Sequence, residues 1–138
     1  MSLEENKALF RRFIEEVENA KNTDAVDQFF AADYLDHNPP PFGEPGIEAL
    51  KQAMRMFFTA FPDLIVEVDD LLAEGNKVVG RITARGTHQG ELMGIAPTGK
   101  QVTMKEIHIV RYSGGMVVEH WGIEDNMSMM QQLGMIPE

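Results

Sequence analysis

The sequence contains no cysteine. That removes disulfides, thiolate metal sites and cysteine nucleophiles together. No apolar run approaches the roughly 18 residues of a membrane-spanning helix. The N-terminus has no basic segment leading into an apolar stretch, so no secretory signal is visible and a cytoplasmic location is expected. Basic residues are scarce: 12 Lys and Arg stand against 22 Asp and Glu, a net charge of −10. With no compensating basic cluster, such a chain is repelled by phosphate backbones and anionic bilayers, so neither nucleic acid nor membrane is an expected partner. The only serines are Ser2, Ser113 and Ser128, and none sits in a GxSxG turn, which argues against a serine hydrolase. The four histidines show neither HExxH nor HxH spacing, and no metal is expected. No glycine-rich loop follows a strand, so a Rossmann domain is disfavoured. Repeats, low-complexity segments and linkers are also absent, and residues 1–138 read as one domain.

What is present is an ordered change of period. Phe10, Phe13, Ile14, Val17 and Ala20 recur at helical spacing and predict a helix over Glu4 to Lys21. Asn22-Thr23-Asp24 offers caps for a short second helix carrying Val26, Phe29 and Phe30. Tyr34 to Gly46 holds four prolines and two glycines and reads as loop. A third helix carries the stripe Ile47, Leu50, Met54, Phe57, Phe58 and Phe61, and Pro62 ends it. From there the period is two. Strands are expected over Leu64 to Asp69, Lys77 to Thr87, Gln101 to Tyr112 and Met116 to Asp125, joined by turns at Glu74-Gly75-Asn76 and Ser113-Gly114-Gly115. Asn126 to Leu133 suits a short closing helix. Helices followed by hairpin-linked strands predict an α+β domain with an antiparallel sheet.

Several polar residues fall on faces read as buried. Regular alternation puts Val117, Glu119, Trp121, Ile123 and Asp125 on one face of the last strand. Asp125 then ends a buried face, where a carboxylate has a raised pKa and can exchange protons near neutrality; equally, it suits the cap of the next helix. Val102, Met104, Glu106, His108, Val110 and Tyr112 share a face of the preceding strand, a mixture that suits an apolar cavity with a few placed polar groups. His108 is either a proton-transfer group or a hydrogen-bonded structural histidine. Arg81 suits a carboxylate anchor or a cross-strand pair with Glu67 or Asp69. His88 and His120 read as surface or rim residues. His37 stands at a rigid proline loop, a place for a pocket mouth. The ten methionines suit gap-filling in a core or dimer surface, or an adaptable pocket lining.

Five stretches, in order, carry a resemblance. They are His37-Asn38-Pro39, Phe61-Pro62-Asp63, Gly86-Thr87-His88-Gln89-Gly90, Gly94 to Lys100, and Glu119-His120-Trp121 continuing to Asp125, with Gln132-Leu133-Gly134 after them. Together they resemble the SnoaL-like polyketide cyclase family of the nuclear-transport-factor-like superfamily. The resemblance implies a cone-shaped α+β barrel, a curved antiparallel sheet against three N-terminal helices around a deep pocket. It also implies a homodimer through the outer sheet face. It implies a cofactor-independent, metal-free intramolecular aldol condensation on an apolar carbonyl compound, with Asp125 matching the family's acid/base aspartate and His108 its assisting histidine. Trp121, Arg81, His37, Glu106, Met104 and Phe58 are the expected substrate-binding residues. An isomerase, dehydratase or epoxide hydrolase on the same scaffold, or a non-catalytic ligand-binding dimeric module, are the alternatives.

Overall fold

A computed structural model describes residues 2–137. Helix α1 (Leu3–Phe13) starts on a reciprocal cap: the Glu5 N–H donates to Ser2 Oγ at 3.0 Å and the Ser2 N–H to Glu5 Oε1 at 3.1 Å. It runs on into a π-helical turn, Ile14–Asn19. A 3₁₀ helix (Thr23–Gln28) and strand β1 (Phe30–Asp36) follow, then α2 (Ile47–Ala60). Strands β2 (Ile65–Glu74), β3 (Lys77–Thr87), β4 (Gln101–Ser113) and β5 (Met116–Glu124) precede α3 (Asn126–Gln132). Among the described residues no helix is long and apolar enough to cross a membrane.

The expected α+β architecture is present, with two corrections. Phe30 and Tyr34 to Asp36, assigned to helix and loop from sequence, form β1, which pairs parallel with β5. The sheet is therefore mixed, not wholly antiparallel, in the order β1-β5-β4-β3-β2, and it does not close. The β-period here is short and interrupted, since the register slips between Phe30 and Leu35.

Phe10, Ile14, Val17, Phe29, Phe30, Met54, Val78, Ile82, Val110 and Val117 bury their side chains between helices and sheet. Gly80 permits that approach: a Cβ there would meet the Phe10 ring at 2.3 Å. A second core of Ala60, Phe61, Leu92, Val102, Met104, Met129 and Leu133 closes the other end of the domain. His88, expected at the surface, is fully buried beside it and pairs through Nδ1 with Thr98 Oγ1 at 3.0 Å. The cause is the 88–100 segment, which folds back over the end of β3 through the His88 N–H to Lys100 carbonyl bond.

Candidate active site

One irregularity decides which side chains face inward. β4 and β5 pair Tyr112 with Val117 but Arg111 with Glu119, so Val118 is an extra residue, a β-bulge. Beyond it every side chain of β5 swaps face. Val117 is buried, but His120 and Glu124 then point into the fold, while Trp121 and Ile123 point out. The expectation that Trp121, Ile123 and Asp125 share the buried face of Val117 is thereby overturned. Asp125 caps α3, accepting from the Ser128 N–H at 3.0 Å, and borders a groove on the outer face of the sheet.

The inner cavity, about 180 Å³, lies between the helices and the concave sheet face. Its walls are mostly apolar and aromatic, with Phe13, Phe30, Leu50, Met54 and Phe57 on the helical side. Among the described residues, four carboxylates (Glu18, Asp36, Glu106 and Glu124) and two imidazoles (His108 and His120) face it, with no lysine or arginine.

Three hydrogen bonds join four of these groups in a line. Asp36 Oδ1 lies 2.8 Å from His120 Nδ1, His120 Nε2 lies 2.9 Å from His108 Nδ1, and His108 Nε2 lies 2.8 Å from Glu106 Oε1. Gly122 makes the junction possible. It sits opposite His108 on the neighbouring strand, and its missing side chain is the space where the two imidazoles meet. The Asp36 end is itself held by the Asn38 N–H at 3.0 Å and by the Tyr34 hydroxyl at 3.3 Å.

Proton counting orders the line. Burial acts to raise the Asp36 carboxyl, but the His120 hydrogen bond, the Asn38 N–H and Tyr34 hold it below its usual range, so it is ionised. An ionised Asp36 accepts from His120 Nδ1–H. With both imidazoles uncharged, His120 Nε2 is a lone pair and accepts from His108 Nδ1–H. His108 Nε2 is left without a proton, so the last bond needs its proton from Glu106. The titration tendencies agree: burial depresses His108, against the pull of Glu18, Glu124 and Asp36, and burial pushes Glu106 up to about 7. Glu18 is pushed up to about 8, by burial first, then by Glu106 and Glu124, with His108 opposing. Glu124, at the exposed end of β5, is also raised, by burial and then by Glu106.

Glu106, His108 and Glu124 bring ligand-type atoms within 4.8 Å of one another. By distance alone they suit a divalent cation. The 2.8 Å contact between Glu106 and His108, however, is satisfied by a shared proton, and its axis continues along the line to Asp36. The donor set therefore fits proton sharing better than metal ligation.

The remaining expected residues divide. Met104 lines the cavity with Glu106 and His108. Phe58 packs against the core, and Phe57 takes the cavity wall instead. Arg81 lies on the outer face, its Nε and Nη2 donating to Asp70 Oδ2 at 3.0 and 2.5 Å. Asp70 is the nearer partner, because a slip in β2 brings it opposite Arg81, and Asp69, one of the two expected partners, also pairs with it, Oδ2 lying 3.7 Å from Nη1. His37 stacks on Trp121 outside the cavity, centroids 4.8 Å apart, and its Nε2 lies 2.7 Å from Glu119 Oε2. Asn38 and Pro40 of that loop reach the cavity instead; Asn38 Oδ1 accepts from the Gly122 N–H at 2.8 Å.

Sequence reasoning missed Glu18, Tyr34, Asp36 and Glu124, and assigned His120 to the rim. The even spacing of Phe30, Tyr34 and Asp36 was the available signal for β1. Nothing in the sequence announces the bulge at Val118.

Comparison with known proteins agrees with this architecture. The family model for SnoaL-like polyketide cyclase matches residues 8–133. Aklanonic acid methyl ester cyclase DnrD from Streptomyces peucetius is 28% identical over 131 residues, covering 91% of this chain and 88% of its own. Nogalonic acid methyl ester cyclase from Streptomyces nogalater is 26% identical over 118 residues, covering 84% and 88%. The crystal structure of AclR, a proposed hydroxylase of Streptomyces galilaeus, superposes with a TM-score of 0.89 at 31% identity, covering 99% of this chain and 85% of AclR. An inward-facing polar line in an apolar cavity, on a fold matched from end to end, places the chain in the SnoaL-like polyketide cyclase family.

Proposed function

We propose that this chain closes a ring in an apolar aromatic polyketide ester by intramolecular aldol condensation, using its own side chains for every proton transfer. One observation carries the proposal: the unbroken line Asp36–His120–His108–Glu106 in the cavity wall. Passing the Glu106 proton to His108 Nε2 frees a carboxylate, and the positive charge is shared through His120 with Asp36. The Glu106 carboxylate removes a C–H proton beside the substrate carbonyl. The enolate forms a C–C bond to a second carbonyl, and the new alkoxide takes its proton back from Glu106. Atoms and charge balance, and the product is an isomer of the substrate. A Glu106 that titrates near 7 suits both halves of that cycle. Holding the two carbonyls together lowers such a barrier by roughly 7–11 kcal/mol.

The cavity volume shapes the substrate. At about 180 Å³ it exceeds the roughly 150 Å³ that holds one benzene ring. It therefore takes the reacting ring and its side chain, with further rings outside or the helices parted. The absence of lysine and arginine from the wall favours an ester over a free acid. The outer sheet face, with Ile107 49% and Ile123 77% exposed, is proposed as the surface of a homodimer.

The test is turnover of aklanonic acid methyl ester, read by product mass. A product of unchanged mass with a new ring supports the cyclase. Gain of one oxygen indicates a hydroxylase, and loss of water a dehydratase. Glu106→Gln and His108→Asn are expected to lower kcat by about 10²–10⁴-fold. Wild-type rates in both variants would refute the roles given to the line.

A further inference from the structure

Glu18 has no part in the line, and its side-chain carboxyl has no hydrogen-bond partner among the described residues. It reaches the cavity from the helical wall, not from the sheet. Its backbone belongs to the π-helical turn, a departure from α-geometry that is often kept at functional positions. The turn is anchored on both sides of Glu18. Val17 accepts from the Asn22 N–H at 2.9 Å, and Asn19 is clamped to β2 by Nδ2 to the Val66 carbonyl at 3.0 Å and by the Val66 N–H to Oδ1 at 2.7 Å. The backbone that carries the carboxyl is thus held in place, and the carboxyl itself has no hydrogen-bond partner among the described residues.

Its surroundings set its state. Glu106, His108 and Tyr112 face the cavity from β4, His120 and Glu124 from β5, and Tyr34 and Asp36 from β1; α2 contributes only apolar residues there. Burial disfavours a negative charge on Glu18 first, the neighbouring Glu106 and Glu124 carboxyls add to this, and among the described residues no lysine or arginine lines the cavity to offset it.

On the acid–base reading of the cavity, we infer that Glu18 is a second catalytic group, a neutral carboxylic acid that donates a hydrogen bond to the substrate carbonyl as it becomes an enolate. Glu18 keeps its proton throughout; the transferred proton moves only between substrate and Glu106. The carbonyl is held between helix and sheet, its oxygen toward Glu18 and its acidic carbon toward Glu106. A fixed donor aimed at developing negative charge is worth about 10²–10³-fold in kcat. Glutamine retains a donor at this position; alanine does not.

Three variants and one spectroscopic measurement test this. In ligand-free protein at neutral pH, infrared bands of protonated carboxyls are expected in wild type from both Glu18 and Glu106, and Glu18→Gln is expected to lose the Glu18 component while keeping that of Glu106. A protonated-carboxyl spectrum unchanged in Glu18→Gln overturns the inference. With aklanonic acid methyl ester, Glu18→Ala is expected to lower kcat about 10²–10³-fold with little change in KM, and Glu18→Gln to stay within about tenfold of wild type. The fall in kcat as pH rises through about 8 is expected to disappear in Glu18→Gln. Wild-type kcat in Glu18→Ala, with His108→Asn inactive, overturns the role of Glu18 alone. Wild-type kcat in His108→Asn overturns the acid–base reading on which the inference rests. Melting against pH separates folding from catalysis. A carboxyl raised in the folded state contributes stability that is lost as pH rises through about 8, so Glu18→Gln melts with a flatter alkaline limb.

Discussion

Gly122→Ala tests the hydrogen-bonded line without altering any group in it. Gly122 has an ordinary backbone conformation, so alanine brings no strain of its own. The added Cβ would lie 2.4 Å from His108 Nδ1 and 2.9 Å from both His108 Cε1 and His120 Nε2. Ordinary contact begins at 3.4 Å, so the His108 ring must retreat by about 3.4 − 2.4 = 1.0 Å. The methyl enters between the two nitrogens that bond at 2.9 Å, and the retreat opens that bond past hydrogen-bond range. Two half-buried ring nitrogens then lose their partner, a cost of about 1–3 kcal/mol in stability. The catalytic cost is larger in proportion: a displacement of about 1 Å is worth on the order of 10²-fold. The assay is kcat on aklanonic acid methyl ester beside the melting temperature, with imidazole N–H resonances as a direct view of the junction. A folded variant with wild-type kcat and an unchanged His108–His120 resonance would refute the reasoning.

Asp125→Ala is expected to lose its α3 cap, about 1 kcal/mol of stability, and to keep turnover; loss of turnover with stability intact would return the acid/base role to Asp125. Glu106 carries a folded-state pKa of about 7, above its unfolded value. Its contribution to stability is therefore full below the unfolded pKa and lost as pH rises through about 7, so Glu106→Gln should flatten the fall in melting temperature over that range; parallel curves in a thermal-shift titration count against it. Ile123→Asp is expected to convert a dimer to a monomer in sedimentation analysis while the cavity keeps its ligand affinity, since Ile123 is 77% exposed on the outer face; an unchanged sedimentation coefficient refutes that interface.

Much of this protein is local in origin and was legible in the sequence. The stripe through Phe10, Ile14 and Val17, the breaker Pro62 and the turns at Gly75 and Gly114 each act within a few residues of chain, where period and sterics suffice. The inward face of β4 was read correctly for the same reason: Met104, Glu106 and His108 alternate without interruption. On β5 the same rule failed, because one extra residue at Val118 turned Trp121 and Ile123 outward and His120 and Glu124 inward. A bulge is selected by the partner strand and by what each face packs against, and Val118 itself is an ordinary strand residue. β1 was hidden for a related reason. Its hydrogen bonds go to β5, more than eighty residues later in the chain, and a seven-residue strand with a register slip leaves little periodicity to find. Composition and local pattern therefore determined the class of fold, the order of its elements other than β1, and the polar character of β4. Only the packing of strands far apart in sequence brought Asp36 and His120 onto the His108–Glu106 pair, because the facing of those two residues was decided by a neighbouring strand and not by the chain on either side.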